Sequence, residues 1–306
     1  MEPEDKSTVY VIRTNDRNAG VGRLMEEYPL AGLKGLGVAL KANYNSADQF
    51  PASTRPGMLA AIVDRLKDRG VDSVVLAERS GMGDTAEVLR TTGVADLAQK
   101  IGLDLIVLDD LDNMACWDRQ GNVKGFHWKN GFLFPKVFSE ADAIVTTCCL
   151  KSHRFGGHFT LSLKNSVGLV AAVDPESGYG YMQELHSSPA QRKMIAEINT
   201  AYAPAFVIMD AIQGFSTGGP EQGRLIEPGL LLASADRVAL DACGVAILRS
   251  YGTTPEVSRG DIFGQEQIAR AVELGIGVTG PDQIEVKPLN DGARDMCRLI
   301  ERQLQG

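Results

Sequence analysis

Short, nearly unbroken apolar runs recur along this chain, and amphipathic stretches separate them. The runs are YVIRT (10–14), GVALKAN (37–43), SVVLAE (73–78), DLIVLDD (104–110), AIVTTCC (143–149), AFVIMDAI (205–212) and GLLLASA (229–235). A strand covered on both faces reads as a continuous apolar run rather than as an alternation, so these predict strands lying between helices. Helical periodicity marks 56–70, 84–102, 188–202, 237–252 and 266–277, the first opening on Pro56 and closing on Gly70. The β-α-β-α order predicts an α/β fold: a mainly parallel sheet with helices on both faces, doubly wound and Rossmann-like. Residues 111–136 break the rhythm. They hold both tryptophans and many turn residues, and they predict a small irregular or β insertion, a hairpin or lid, with Asn130-Gly131 as a turn. No linker-like tract is visible, so residues 1–306 are expected to form one two-lobed unit.

Composition narrows the partners. Net charge is -8, with an isoelectric point near 5.1, which argues against nucleic acid or an anionic membrane surface. Five cysteines occur without any C-x-x-C spacing, so neither a zinc ribbon nor an iron–sulfur cluster motif is encoded. Free thiols, an acidic start (MEPEDKSTVYVI) and no apolar run near the ~20 residues that span a bilayer predict a cytoplasmic protein. A homodimer is compatible with the 44% hydrophobic content but not required by it.

In open parallel sheets, ligands bind beyond the carboxyl ends of the strands, and the chemically loaded stretches sit there. After the second run come Lys41, Asn43 and Arg55, the last directly before a helix opening at Pro56. Arg55 beside a helix N-terminus makes a fork for phosphate or carboxylate; the alternative is a surface loop capped by Ser53 or Thr54. After the third run, Ser80, Gly81 and Gly83 let backbone approach an anion, or else form an ordinary turn capped by Asp84. After the fifth, Lys151 and Lys164-Asn165 bracket His153 and His158 around Gly156-Gly157. Histidine at a strand end serves as acid, base or metal ligand. A lysine in a partly buried cleft loses charge and becomes nucleophilic or basic. His127 and His186 sit in irregular segments placed to fold over the cleft. Cys148 and Cys149 read as small buried residues. Asp210 and Asp241 read as buried carboxylates in need of a partner, for which a cleft lysine is the natural candidate.

This set resembles the domain of unknown function 362 family. The resemblance rests on Lys41 and Asn43, Arg55-Pro56, Lys151-Ser152-His153, TLSLKNSVG (160–168), Asp210-Ala211, Gly219-Pro220 with Gly223, and ADRVALDA (235–242). It covers roughly residues 37–245 and implies no general activity. Many family members append a ferredoxin-like module that this chain lacks. A looser likeness is to the catalytic domain of the lactate racemase family, which uses a nickel-pincer nucleotide. Thr54-Arg55-Pro56, His153, Gly156-Gly157 and Lys164 are similar to its motifs, although the glycine pair lies closer to the histidine and Asn165 replaces the usual continuation. That likeness implies phosphate contact near Arg55, proton or hydride movement at His153 and a tether at Lys164. The expected function is therefore an isomerase- or lyase-like enzyme moving a proton on a small anionic molecule. His153 transfers the proton, and His158 or Lys164 is the second catalytic group. A divalent metal on His153 and His158, or a phosphate-bearing nucleotide, is the candidate cofactor. The alternatives are a non-catalytic metal- or cofactor-binding or assembly protein, and an iron–sulfur-linked redox partner.

Overall fold

The computed structural model describes residues 6–28 and 30–306, so the acidic first residues lie outside the described part. The strands are β1 (Ser7–Arg13), β2 (Gly37–Lys41), β3 (Ser73–Glu78), β4 (Asp104–Val107), β5 (Trp117–Gln120), β6 (Phe132–Pro135), β7 (Ala143–His153), β8 (His158–Thr160), β9 (Phe206–Gly218), β10 (Gly223–Ile226), β11 (Leu230–Ser234) and β12 (Ile284–Pro288). Ten of them form one sheet with the path β12-β1-β11-β9-β7-β2-β3-β4, and β8 and β10 pair on β7 and β9. From β9 to β4 every neighbour on that path is parallel; β11 runs antiparallel to both β9 and β1. The fold is α/β, a mixed and mainly parallel sheet.

Burial explains the covering layers. Val38, Leu40, Val145, Ile208 and Leu231 pack with Val21, Leu24, Leu59 and Ile62 on one face. Val9, Leu150, Met209 and Leu232 pack with Leu240, Ile247, Ile268 and Ile300 on the other. The helix expected over 84–102 is two helices, Thr85–Thr91 and Val94–Ile101, because Gly93 takes φ 80° between them. Among the elements not expected are the helices Arg17–Glu26, Tyr181–Ser187 and Arg294–Leu304, and the strands β8, β10 and β12. The first contains Gly20, where a Cβ would stand 2.7 Å from Leu231 Cδ1 and 2.8 Å from Thr14 Cγ2. Close approach to the sheet thus demands a residue whose helix propensity hides the helix.

The 111–136 segment supplies an antiparallel pair, β5 with β6, as a small separate sheet. Asn130-Gly131 closes the long connection just before β6 rather than forming a two-residue turn. Gly131 has φ 70°, and a Cβ there would collide with the Gln120 carbonyl. Trp128 is buried, 5.3 Å from the Phe132 ring, and its Nε1 donates to Met194 O at 3.2 Å.

Candidate functional site

The chain runs from β2 through β3 to β4 on one side and returns to β7 on the other side of β2. Strand order reverses there, and a crevice opens beyond the carboxyl ends at such a switch. A cavity of about 800 Å³ occupies it, lined by Lys41, Asn43, Arg79, Gly81, His153 and Lys164 among others. A second hollow of about 930 Å³ opens at the amino end of β9. Arg237 and Asp236 there are spent on structure: Arg237 donates to Asn199 and Tyr202 O, and Asp236 caps the helix Arg237–Ser250.

The floor of the first cavity is a buried ion pair. Lys41 Nζ lies 2.7 Å from Glu78 Oε2, and Glu78 Oε1 accepts from Ala42 N at 2.6 Å. Burial lowers the Lys41 amine and raises the Glu78 carboxyl, and each group partly restores the other. Lys41 also donates to Ala42 O and, at 3.5 Å, to Asn165 Oδ1, so its donors are used. Asn165 in turn donates to Thr147 O at 3.1 Å. Arg79, which the sequence reading missed, follows Glu78 off the end of β3. Its guanidinium donates to the carbonyls of Val170, Ser80 and Val167 and bonds no carboxylate.

Lys164 stands on the short helix Ser162–Asn165. Asp241, from the helix Arg237–Ser250, accepts from Ser162 N at 2.8 Å and Leu163 N at 2.9 Å and so anchors that turn. This corrects the expectation of a lysine partner for Asp241: its carboxyl, pushed up to about 6 by burial, holds backbone N–H groups instead. Lys164 Nζ has no hydrogen-bond or ion-pair partner among the described residues. Burial, then Lys151 and Arg79, lower its amine to about 8. His153 is buried, and burial, Lys164, Lys151, His186 and Arg154 drive it far below the histidine range, so the ring is neutral. Its Nδ1 accepts a long bond from Gly157 N at 3.3 Å.

Gly157 brings these two side chains together. A Cβ there would lie 2.9 Å from both His153 Nδ1 and Lys164 Cε. Gly157→Ala is therefore expected to displace both groups and to lower turnover on the order of 100-fold with little loss of stability. Steady-state kinetics beside a thermal melt checks this, and an unimpaired rate would count against the pair as the reacting centre.

Several expected site residues lie elsewhere. Arg55 does not line the cavity. It is exposed and faces a separate groove with Arg13 and Arg17. The loop after β2 closes on itself, Thr54 N to Asn43 O at 2.8 Å and Asn43 Nδ2 to Ala52 O at 2.8 Å, and carries Arg55 away. Asp210 is paired with Arg17 at 2.6 Å rather than with a lysine. Lys151 is fully buried behind the wall, where it donates to Ala52 O and adds charge without lining the cavity. His158 faces His153 in register, but at φ 65° its neighbours are Arg192, Glu256 and Glu266, and it does not reach the cavity. The pair His153 and His158 makes no metal centre: among the described residues no group of three or more His, Cys, Asp or Glu side chains could hold a metal ion. Three cations beside the one carboxylate also repel a divalent cation.

Ser80 is structural, its hydroxyl donating to Tyr44 O and its N–H to Thr85 Oγ1. Gly81 lines the cavity, whereas Gly83 serves the turn before the helix Thr85–Thr91, which Asp84 caps. His186 reaches the cavity; His127 is held by buried Glu197 at 2.6 Å, away from it. Cys148 and Cys149 are buried, and burial raises both thiols. Tyr44 also lines the cavity, with a buried hydroxyl that has no partner.

Residues 38–246 match the family described as Domain of unknown function (DUF362), more than half of the chain. This chain belongs to that family. Every residue the cavity uses, from Lys41 to Pro220, falls inside the DUF362 match. Among curated proteins, the chain is 25% identical over 234 residues to a thylakoid-associated protein of Synechocystis sp., covering 76% of this chain and 68% of that one. Among solved structures, it is similar to the lactate racemase apoprotein from Thermoanaerobacterium thermosaccharolyticum, with a TM-score of 0.50 and 16% identity. That match covers 78% of this chain but only 56% of the other, and what it shows is a shared fold. Among the described residues no helix is long and apolar enough to cross a membrane.

Proposed function

We propose that this DUF362 cavity is the reaction centre of an isomerase-like enzyme that moves a proton on a small anionic substrate. The observation that carries the reading is the Lys164 amine, half-buried, without a protein partner among the described residues and beside a neutral His153. Lys41, Arg79 and Lys164 line the space, Glu78 is the one carboxylate bonded to them, and it is used by Lys41. A buried cation without a counter-ion is costly, and a bound anion removes that cost.

The anion also switches on the chemistry. His153 is held unprotonated partly by Lys164, Lys151 and Arg154. A substrate carboxylate or phosphate offsets those charges and restores proton affinity to the ring only when substrate is present. His153 then takes a proton from a carbon made acidic by an adjacent carbonyl, and Lys164 is the second group. The nickel-pincer nucleotide implied by the lactate racemase likeness lacks the phosphate contact that likeness assigns to Arg55. Arg55, which would meet its phosphate, faces another groove, although His153 and Lys164 do meet at the cavity.

The test is solvent exchange. Small 2-oxo acids and phosphorylated ketones, incubated with the protein in deuterium oxide, should lose proton signal at the carbon next to the carbonyl. The rate should rise with pH and level off above about 8, because the active form needs Lys164 without its proton. His153→Ala should lower it on the order of 100-fold. Tight anion binding with no exchange of any of these compounds would sink the enzymatic reading.

A further inference from the structure

We propose that Lys164 captures carbonyl-bearing anions covalently, as an imine between its amine and an aldehyde or 2-oxo group. This rests on the reading of the cavity as an anion site and adds the substrate class and the bond. Three observations carry it. First, the amine is free where its neighbours are not. Lys41 is committed to Glu78, Ala42 O and Asn165, and Lys151 to Ala52 O, whereas no acceptor among the described residues holds Lys164. Second, the amine has room. Lys164 lines an 800 Å³ cavity, and Gly157 leaves open the flank a side chain would close against its Cε. Third, the charges around it suit both partners of the reaction. Desolvation, then Lys151 and Arg79, disfavour the ammonium form and leave some nucleophilic free base near neutral pH, and the two cations attract the ligand's anionic group.

The step needs no oxidant or reductant. The nitrogen lone pair adds to the carbonyl carbon and the C=O electrons move to oxygen. That oxygen then takes one proton from the nitrogen and one from solvent and leaves as water. The product is the protonated imine, which carries the one positive charge that the ammonium form of Lys164 would carry. It also acidifies the neighbouring carbon, which is where the proposed proton transfer takes place.

The experiment is reductive trapping on the full chain. Pyruvate and pyridoxal 5′-phosphate are each added with sodium cyanoborohydride, which reduces an imine to a stable secondary amine, and adducts are mapped by peptide mass spectrometry. The expected result is modification of Lys164 at least tenfold ahead of exposed lysines such as Lys34 and Lys124, suppressed by excess inorganic phosphate and absent in Lys164→Arg. Labelling spread evenly over surface lysines overturns the proposal. If pyruvate binds and exchanges its methyl protons but Lys164 stays unlabelled, the imine is wrong and the proton-transfer reading stands. If it neither binds nor exchanges and pyridoxal 5′-phosphate also leaves Lys164 unlabelled, the imine falls together with that reading as applied to 2-oxo acids.

Discussion

Replacing Lys164 with methionine is expected to make the protein more stable while abolishing proton exchange. Partial burial and the neighbouring cations lower this half-buried amine from the ordinary 10.5 to about 8 in the folded chain. Solvent screening of the partly exposed amine leaves that drop worth about 1–2 kcal/mol against folding at pH 7. The sign follows from which state holds the proton more tightly. Between about 8 and 10.5 the unfolded chain keeps its proton and the folded chain has lost it, so wild-type stability rises with pH across that window. Below about 8 the cost is present in full. Lys164→Met removes the charge and keeps most of the apolar length. Its gain should therefore be largest at pH 7 and should shrink towards pH 10.5, as urea unfolding at the two pH values would show. A residue kept only for packing gives the opposite result, a loss at every pH. Stability given up at one half-buried, unpaired cation is what a site built for an anion predicts.

The Lys41–Glu78 pair should behave in the reverse way. Glu78→Ala leaves a buried ammonium without its counter-ion and the Ala42 N–H without its acceptor. Breaking a buried pair from one side costs about 3–5 kcal/mol, far more than the pair contributes over an apolar replacement. The single variant should thus unfold at much lower denaturant, and Lys41→Met combined with Glu78→Leu should recover most of the loss. A double variant no better than the single one would mean that the pair does more than neutralise itself, for example by fixing Asn165 through Lys41.

The contrast between these two lysines shows where sequence reading stops. Both stand in glycine- or asparagine-bearing stretches near strand ends, and both were named as site residues. Nothing local to either says that Lys41 is matched by a glutamate 37 positions away while Lys164 is matched by nothing. The same limit explains Arg55. Its helix start was legible, since the helix Pro56–Asp68 begins where expected, but the fold-back that turns it away depends on contacts between Asn43 and residues 52–54. Arg79 was hidden for a related reason: an arginine after a strand looks like any exposed charge until the carbonyls of Val167 and Val170 close around it. β12 was legible in principle, for Ile284 and Val286 alternate with exposed residues, as were the buried Cys297, Ile300 and Leu304 of the last helix.

What the residues determined on their own is the α/β layering and the rim on which chemistry collects. Apolar runs and helical periodicity are local patterns, and burial on two faces enforces them strand by strand. What only the tertiary structure decided is which charges remain unpaired. Pairing is a distance between side chains from separate elements, here Lys41 with Glu78, Arg17 with Asp210 and Asp241 with the turn that carries Lys164. Once those partners are assigned, one amine in the cavity is left without a counter-charge, and that vacancy is a property of the folded chain alone.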